Sequence, residues 1–229
     1  AVNKPHQLVV LNGPRHSGKD HLASIIRRHF LCRHYKFSKV LKESIPHLYG
    51  LTCDWTYLEK IKLERTELLL GDSFVEAQIR LSERYLKREY GPDVFGRLAV
   101  NFMRQPTNTG FTVISDGGFE EELVPLANFA SPQNVHVIQL RRHGTSFERD
   151  ASTWGDVRHY LSEHAPELKG LQFWSFRNDY GPGLTEKLIC RAVANITGVL
   201  PHTHILKQEL TADDLLNLSA EPSSEGESQ

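Results

Sequence analysis

The sequence contains few cysteines, no long apolar run and no excess of either charge. Its three cysteines (Cys32, Cys53 and Cys190) are an odd number without the CxxC spacing, so they cannot form a disulfide framework or a four-thiolate zinc site. No stretch of about 20 apolar residues could cross a membrane. The N-terminal AVNKPHQ lacks the apolar core of a signal peptide. We therefore expect a protein of a reducing cytoplasm.

The charge balance excludes some classes of partner. Lysine plus arginine number 27 and aspartate plus glutamate 28, a formal charge of −1. We therefore expect neither nucleic acid nor a membrane as a partner, because both attract proteins with a clear basic excess. A local cluster of arginines can still bind a small anion. Hydrophobic residues make up 39% of the chain, which excludes a disordered protein and is enough for a core.

Short apolar runs alternate with longer amphipathic stretches along most of the chain. We predict strands at 8–12, 35–38, 111–115, 135–140 and 171–176. We predict helices at 18–34, 39–51, 56–89, 92–103 and 184–196, and a further helix that starts near residue 119. Strands that are apolar on both faces and separated by helices indicate a parallel sheet covered on both sides. The predicted fold class is therefore α/β, a three-layer αβα sandwich with a central, mostly parallel, five-stranded sheet.

The C-terminal stretch differs in composition from the rest of the chain. After Lys207 there is no lysine or arginine, whereas six acidic residues follow and the chain ends in EPSSEGESQ. Such a composition is typical of a solvated, disordered tail. We predict one domain over 1–205 and an acidic tail over 206–229.

The segment from residue 8 to residue 30 reads LVVLN-GPRHSGKD-HLASIIRRHF, a predicted strand, a glycine-bounded loop and a predicted helix. Gly13-x4-Gly18-Lys19 has the spacing of a phosphate-binding P-loop, in which backbone N–H groups surround an anion at a helix N-terminus. The alternative is an ordinary βα turn that contains glycine, but the strand before and the helix after it favour the P-loop. Lys19 would reach the β- and γ-phosphates of ATP. The expected ATP-binding residues here are Gly13, Arg15, His16, Ser17, Gly18, Lys19 and Asp20.

Asp20 stands where a P-loop usually has serine or threonine, whose hydroxyl binds magnesium. A carboxylate is also an oxygen donor suited to Mg²⁺, directly or through a water molecule. The alternative is that Asp20 only stabilises the positive end of the helix dipole. Both interpretations stay open from the sequence.

Three further segments, together with the GKD of the P-loop, resemble the bacteriophage deoxynucleoside monophosphate kinases. They are FSKVLK at 37–42, YGPDVFGR at 90–97 and VISDGGFEEE at 113–122. The resemblance spans residues 8 to about 190. It departs from the family at Gly118, where many members have an arginine, so one phosphate-binding arginine must come from elsewhere.

The resemblance implies a P-loop kinase fold with a helical acceptor-binding region at about 39–104 and a lid at about 141–154. It also implies transfer of the γ-phosphoryl group of ATP to a deoxynucleoside monophosphate with the help of Mg²⁺. If the protein is viral, that reaction would take place in the host cytoplasm.

Asp116 ends the predicted strand 111–115, at the edge where strands of an open α/β sheet meet their ligand. Its carboxylate could hold a water of the Mg²⁺ ion or orient the acceptor, so we expect Asp20 and Asp116 as the metal residues. The structural alternative is that Asp116 caps the helix that starts near residue 119.

Phosphoryl transfer needs cations on both sides of the moving group. On the donor side, Arg141, Arg142 and Arg149 lie in a polar stretch typical of a mobile lid, and we expect Arg142 and Arg149 to be catalytic with Lys19, Asp20 and Asp116. Asn178 follows the last predicted strand, where we expect adenine to bind. The expected acceptor-binding residues are Lys42, Arg80, Arg84, Arg97, Asp150 and Trp154. A solvated helix is the alternative for Arg80 and Arg84, and core packing is the alternative for the aromatic residues.

Other functions are consistent with parts of this pattern. A kinase for another small metabolite, of the phosphomevalonate type, could have the same GKD loop. A GTPase would need the base-binding NKxD, which is absent, and the DxxG at 93–96 follows no predicted strand. A regulatory module that binds nucleotide without turnover would not need Lys19 and an arginine-rich lid. A homodimer is compatible with all of these functions.

Overall fold

The computed structural model describes residues 5–118, 120–147, 168–211 and 214. Its centre is a five-stranded sheet in which every neighbouring pair of strands is parallel. The strands are β1 (Gln7–Asn12), β2 (Arg33–Tyr35), β3 (Phe111–Gly117), β4 (Val135–Arg141) and β5 (Gln172–Arg177), in the order β2-β3-β1-β4-β5. The predicted α/β fold with five parallel strands is confirmed. In the described part of the chain, no helix is both long and apolar enough to span a bilayer.

Helices follow the strands in chain order and cover both faces of the sheet. They are α1 (Lys19–His29), α2 (Phe37–Leu48), α3 (Trp55–Lys60), α4 (Phe74–Ile79), α5 (Lys87–Tyr90), α6 (Val94–Arg104), α7 (Leu123–Ala130) and α8 (Pro182–Thr197). A π-helical segment over Arg80–Leu86 connects α4 to α5.

Two hydrophobic clusters lie on the two faces of the sheet, because successive side chains of a strand point to opposite faces. Leu8 and Val10 of β1 pack in the cluster that includes α6 and α7. Val9 and Leu11 pack in the cluster that includes α1 and α8. The strands are therefore apolar on both faces, which is the property from which a covered parallel sheet is predicted.

The helical region between β2 and β3 differs most from its prediction. Residues 56–89 are predicted as one helix, but α3 ends at Lys60 and α4 begins only at Phe74. Leu70 (φ 55°) and Gly71 (φ 88°) adopt left-handed backbone conformations between them, which a continuous helix cannot contain. Ser73 then begins α4 through a capping box with Glu76.

Part of the predicted tail packs on the domain. Ile205 is 5% exposed in a short 3-10 helix, Ile205–Lys207, and the Lys187 ammonium of α8 lies 2.7 Å from a carboxylate oxygen of Asp214. Ordered contacts therefore continue past residue 205, the predicted end of the domain. The rest of the predicted tail, 212–213 and 215–229, lies outside the described residues.

Candidate active site

The loop between β1 and α1 has a backbone that requires glycine at both ends. Gly18, at the start of α1, has φ 93°, and a Cβ there would lie 2.4 Å from Nδ2 of Asn178. A Cβ on Gly13 would lie 2.6 Å from Oγ of Ser17. His16 is also left-handed, with φ 65°. The N-cap residue of α1 is Gly18, which has no side chain to cap the helix, so the first-turn N–H groups are available to bind an anion.

Lys19 lies across this loop. Its ammonium donates to the carbonyl oxygens of Gly13 at 2.5 Å and Pro14 at 2.8 Å. Phosphate oxygens carry more negative charge than carbonyl oxygens and are stronger acceptors for an ammonium group. A nucleotide in the loop would therefore compete with these two carbonyls for Lys19.

Residues at the ends of β4 and β5 hold the other side of the loop. The buried amide of Asn178 donates to the carbonyl of Ser17 at 2.8 Å, and the guanidinium of Arg142 donates to the carbonyl of His16 at 3.2 Å. The backbone N–H of Asn178 donates to the carbonyl of Arg141 at 2.8 Å. Two residues predicted for the donor side, Arg142 and Asn178, are thus brought to the P-loop. Arg15 is exposed at the tip of this loop.

Asp20 is the centre of a polar network on the opposite side of the P-loop helix. Its Oδ1 lies 2.7 Å from the ammonium of Lys36 and accepts a hydrogen bond from the hydroxyl of Ser115 at 3.0 Å. Nε2 of His34 lies 2.8 Å from the same hydroxyl. Because a carboxylate only accepts, Ser115 donates to Asp20 and the ring of His34 donates to Ser115.

The charges around this network favour an ionised Asp20 beside a neutral His34. Partial burial opposes ionisation of Asp20, but the hydrogen bond and charge of Lys36, with the Ser115 hydroxyl, outweigh it and lower the pKa of the carboxyl. Burial, assisted by the charges of Arg27 and Lys36, lowers the pKa of His34. Asp20 is therefore an anion at neutral pH, as a magnesium ligand must be.

Asp116 has a structural contact that differs from the predicted one. Its two carboxylate oxygens accept hydrogen bonds from the backbone N–H groups of Phe37 at 2.8 Å and Ser38 at 2.9 Å. These N–H groups belong to the first turn of α2, so Asp116 caps α2 across the sheet edge. The structural alternative predicted from the sequence was that Asp116 caps the helix that starts near residue 119. In the structure it caps α2.

The chemistry of these donors fits Mg²⁺. This ion is usually bound by one or two carboxylates together with phosphate oxygens and water. Asp20 and Asp116 each supply a carboxylate, and the charges of both raise the pKa of His34 against the effect of its burial. In the ranges that the structure describes, no three His, Cys, Asp or Glu side chains form a ready-made metal site. Asp20 and Asp116 would therefore hold the ion together with a bound nucleotide.

The residues predicted for acceptor binding lie in the helical region and pair locally there. The ammonium of Lys42 lies 2.9 Å from a carboxylate oxygen of Glu59, and the guanidinium of Arg80 lies 2.7 Å from a carboxylate oxygen of Asp72. Arg97 pairs with Asp93 at 3.2 Å and also donates to the carbonyl of Tyr90. Arg84 is exposed on the π-helical segment. These contacts do not bring Lys42, Arg80 and Arg97 to the P-loop. Arg149, Asp150 and Trp154 lie outside the described residues, as does the second half of the predicted lid, 148–154.

Two residues of the site, His34 and Lys36, have no signal in the sequence, and Ser115 has one only because it lies in the run 113–122. Lys36, Ser115 and His34 reach Asp20 from β2 and β3, and Ser115 is 95 positions away along the chain. Only the order of the strands in the sheet brings them together. The run 113–122 does indicate that this strand end is functional, because it contains Asp116, and Ser115 directly precedes that residue.

Comparisons with known proteins reveal only distant similarity. No protein-family model matches the sequence, and none of the curated proteins is significantly similar to it. Similar solved structures include a sugar kinase from Janibacter sp. HTCC2649, with 14% identity, a TM-score of 0.42 and coverage of 86% of this chain and 100% of that chain. Shikimate kinase from Acinetobacter baumannii in complex with shikimate has 13% identity and a TM-score of 0.41, with 84% and 93% covered. Dephospho-CoA kinase from Campylobacter jejuni has 14% identity and a TM-score of 0.40, with 83% and 97% covered. Similarity at this level carries no functional conclusion for this chain.

Proposed function

We propose that the protein is a magnesium-dependent P-loop kinase that transfers the γ-phosphoryl group of ATP to a deoxynucleoside monophosphate in the cytoplasm. The observation that carries this proposal is the loop 13–20. It lies between a central parallel strand and a helix whose N-cap residue is Gly18, and Lys19 spans it. Phosphate binding requires backbone N–H groups and an ammonium around one anion, and this arrangement supports that role.

Each residue around the loop would have a separate role in phosphoryl transfer. Lys19 and the N–H groups at the start of α1 would bind the β- and γ-phosphates and stabilise the charge that spreads over the transferring group. Arg142 would contribute a second cation from the β4 side, while Asn178 fixes the shape of the loop. When bound through Asp20 and Asp116, Mg²⁺ would neutralise phosphate charge between donor and acceptor.

The acceptor is proposed from the resemblance of 37–42, 90–97 and 113–122 to the bacteriophage deoxynucleoside monophosphate kinases. The helical region contains cations that could bind an acceptor phosphate, namely Lys42, Arg80, Arg84 and Arg97. Their present partners are carboxylates: Glu59 and Asp72 are half-buried, whereas Asp93 is more exposed. The pair of Arg97 with Asp93 is the most exposed of the three and contributes little stability, so a phosphate can replace Asp93 at a small cost. Asp150 and Trp154 are part of the same proposal.

Acceptor-dependent formation of ADP tests the proposed function directly. The panel contains the four common deoxynucleoside monophosphates, the ribonucleotides and phosphorylated metabolites of the phosphomevalonate type. We expect turnover with at least one deoxynucleoside monophosphate and very slow loss of ATP without an acceptor, because a kinase excludes water from the γ-phosphate. ATP hydrolysis at the same rate with and without every acceptor would identify an ATPase instead.

The Lys19→Ala variant tests the role of the loop. Turnover should fall by about 10²-fold or more, because the variant removes a charge that stabilises the transferring group. Lys207→Ala is the matched control, since Lys207 is an exposed lysine of the short 3-10 helix Ile205–Lys207. Turnover of Lys19→Ala close to that of Lys207→Ala would exclude the P-loop from the mechanism.

A further inference from the structure

Lys36 brings a positive charge to the side of the P-loop helix that faces β2 and β3. Its ammonium lies 2.7 Å from Oδ1 of Asp20, the residue directly after Lys19. Its side chain is 31% exposed and that of Asp20 is 68% exposed. The pair is therefore accessible to a ligand that approaches the loop from the acceptor side.

The backbone of Lys36 is fixed on both sides while its side chain is not. Tyr35, the residue before it, pairs with Ile114 of β3. Phe37 and Ser38, the residues after it, donate their N–H groups to Asp116. A lysine side chain has four rotatable bonds, so the ammonium can exchange partners while its Cα stays in place.

The ion pair with Asp20 is one that a metal-bound nucleotide would disrupt. Asp20 is a predicted magnesium residue, and a divalent cation competes with an ammonium for the same carboxylate. The Ser115 hydroxyl, supported by His34, would still hold Oδ1 of Asp20 after Lys36 leaves. Lys36 would then be a cation at the sheet edge, next to incoming phosphate groups.

We propose that Lys36 exchanges Asp20 for the phosphate of the acceptor when magnesium and ATP occupy the P-loop. This inference rests on the proposed function and adds a substrate-binding residue to it. The Asp20 side of the pair is 68% exposed, so solvent screens the pair and its contribution to folding is small. An anionic substrate at this end of the sheet would meet the two carboxylates Asp20 and Asp116, and a cation there would reduce the repulsion.

The Lys36→Met variant tests this proposal, because methionine keeps the length of the side chain and removes its charge. The KM of the acceptor monophosphate should rise at least about tenfold, the loss expected for a charged hydrogen bond. The Mg²⁺ concentration needed for half-maximal rate should fall, because Lys36 no longer competes for Asp20. A purely structural role for Lys36 would not shift these two quantities in opposite directions. Lys36→Arg should retain the affinity for the acceptor. Lys207→Met should behave as the wild type, because Lys207 is an exposed lysine outside the acceptor-binding region.

Calorimetry adds a measurement that does not depend on turnover. Each deoxynucleoside monophosphate is titrated into the protein with Mg²⁺ and a non-hydrolysable ATP analogue present. Weaker binding to Lys36→Met, by at least about tenfold, supports the proposal. Equal affinities of Lys36→Met and wild type would overturn the role of Lys36 and leave the proposed kinase intact. Absence of both binding and turnover in the wild type would overturn the proposed kinase and the role of Lys36 together.

Discussion

The positions of some single residues could be predicted from a local sequence motif, whereas the contacts of others could not. Gly13, Gly18 and Lys19 form one short motif, and their spacing alone predicts the loop that the structure contains. The partners of Asp20 could not be predicted, because Lys36 and Ser115 contact it only through the packing of β2 and β3 beside β1. The local motif therefore predicts the position of the glycine-bounded loop, whereas the polar network around it requires the tertiary structure.

Asn178 illustrates a residue whose position was predicted and whose contact was not. Its amide donates to the buried carbonyl of Ser17, so Asn178→Ala leaves that carbonyl without its partner. We expect the free energy of unfolding to fall by about 1–3 kcal/mol and the affinity for ATP to decrease, because the loop is no longer held. Chemical denaturation and calorimetric titration with ATP measure the two effects.

Asn195 provides the control for this variant, since it is an exposed asparagine on α8. Asn195→Ala should change the stability by less than about 0.5 kcal/mol. Identical unfolding curves for Asn178→Ala and Asn195→Ala would show that the contact with Ser17 contributes nothing.

At the scale of elements, the ends of helices and strands were harder to predict than their existence. The strand predicted at 35–38 is β2, Arg33–Tyr35, because Phe37 and Ser38 use their N–H groups at the start of α2 instead of in the sheet. That outcome depends on Asp116, which lies 79 residues from Phe37. The start of α4, in contrast, had a local signal in the Ser73-x-x-Glu76 capping box.

Asp116→Asn tests whether this carboxylate stabilises α2. Both of its oxygens accept an N–H group, but asparagine has one acceptor oxygen and no charge to interact with the helix dipole. We expect the free energy of unfolding, measured without metal or nucleotide, to fall by about 1–2 kcal/mol. Because no ligand is present, such a loss reports on the cap and not on magnesium binding.

Asp54 is the matched control, since its Oδ1 accepts from the backbone N–H of Thr56 at the start of α3. Asparagine can replace it at little cost, because Asn and Asp are similarly effective at this position of a helix. If Asp116→Asn is as stable as Asp54→Asn, the carboxylate has no capping role, and the metal role remains its only proposed function.

At the scale of the whole molecule, α1 connects the proposed phosphate site to the C-terminal segment. Its first turn is part of that proposed site, and its last residue, His29, contacts the segment after α8. The carbonyl of His29 accepts from the N–H of His202 at 2.8 Å, and its ring lies 2.6 Å from the hydroxyl of Thr203. These contacts belong to the predicted domain 1–205. The composition of residues 206–229 indicated a solvated tail and contained no signal for the packing of Leu206 against the hydrophobic cluster of α1 and α8.

Ile205→Ala tests whether the C-terminal segment is part of the cooperative unit that positions the P-loop. Ile205 is 5% exposed and packs with α1 and α8 in the hydrophobic cluster on that face of the sheet. Truncation of a buried isoleucine to alanine costs about 2–5 kcal/mol. We expect the free energy of unfolding to fall by an amount in that range, with a single unfolding transition in denaturant. Leu200→Ala is the control. Leu200 is 75% exposed, so this substitution should change the stability by less than about 0.5 kcal/mol. Equal stability of the two variants would mean that the segment after α8 lies outside the cooperative core, and that α1 is held by the sheet and α8 alone.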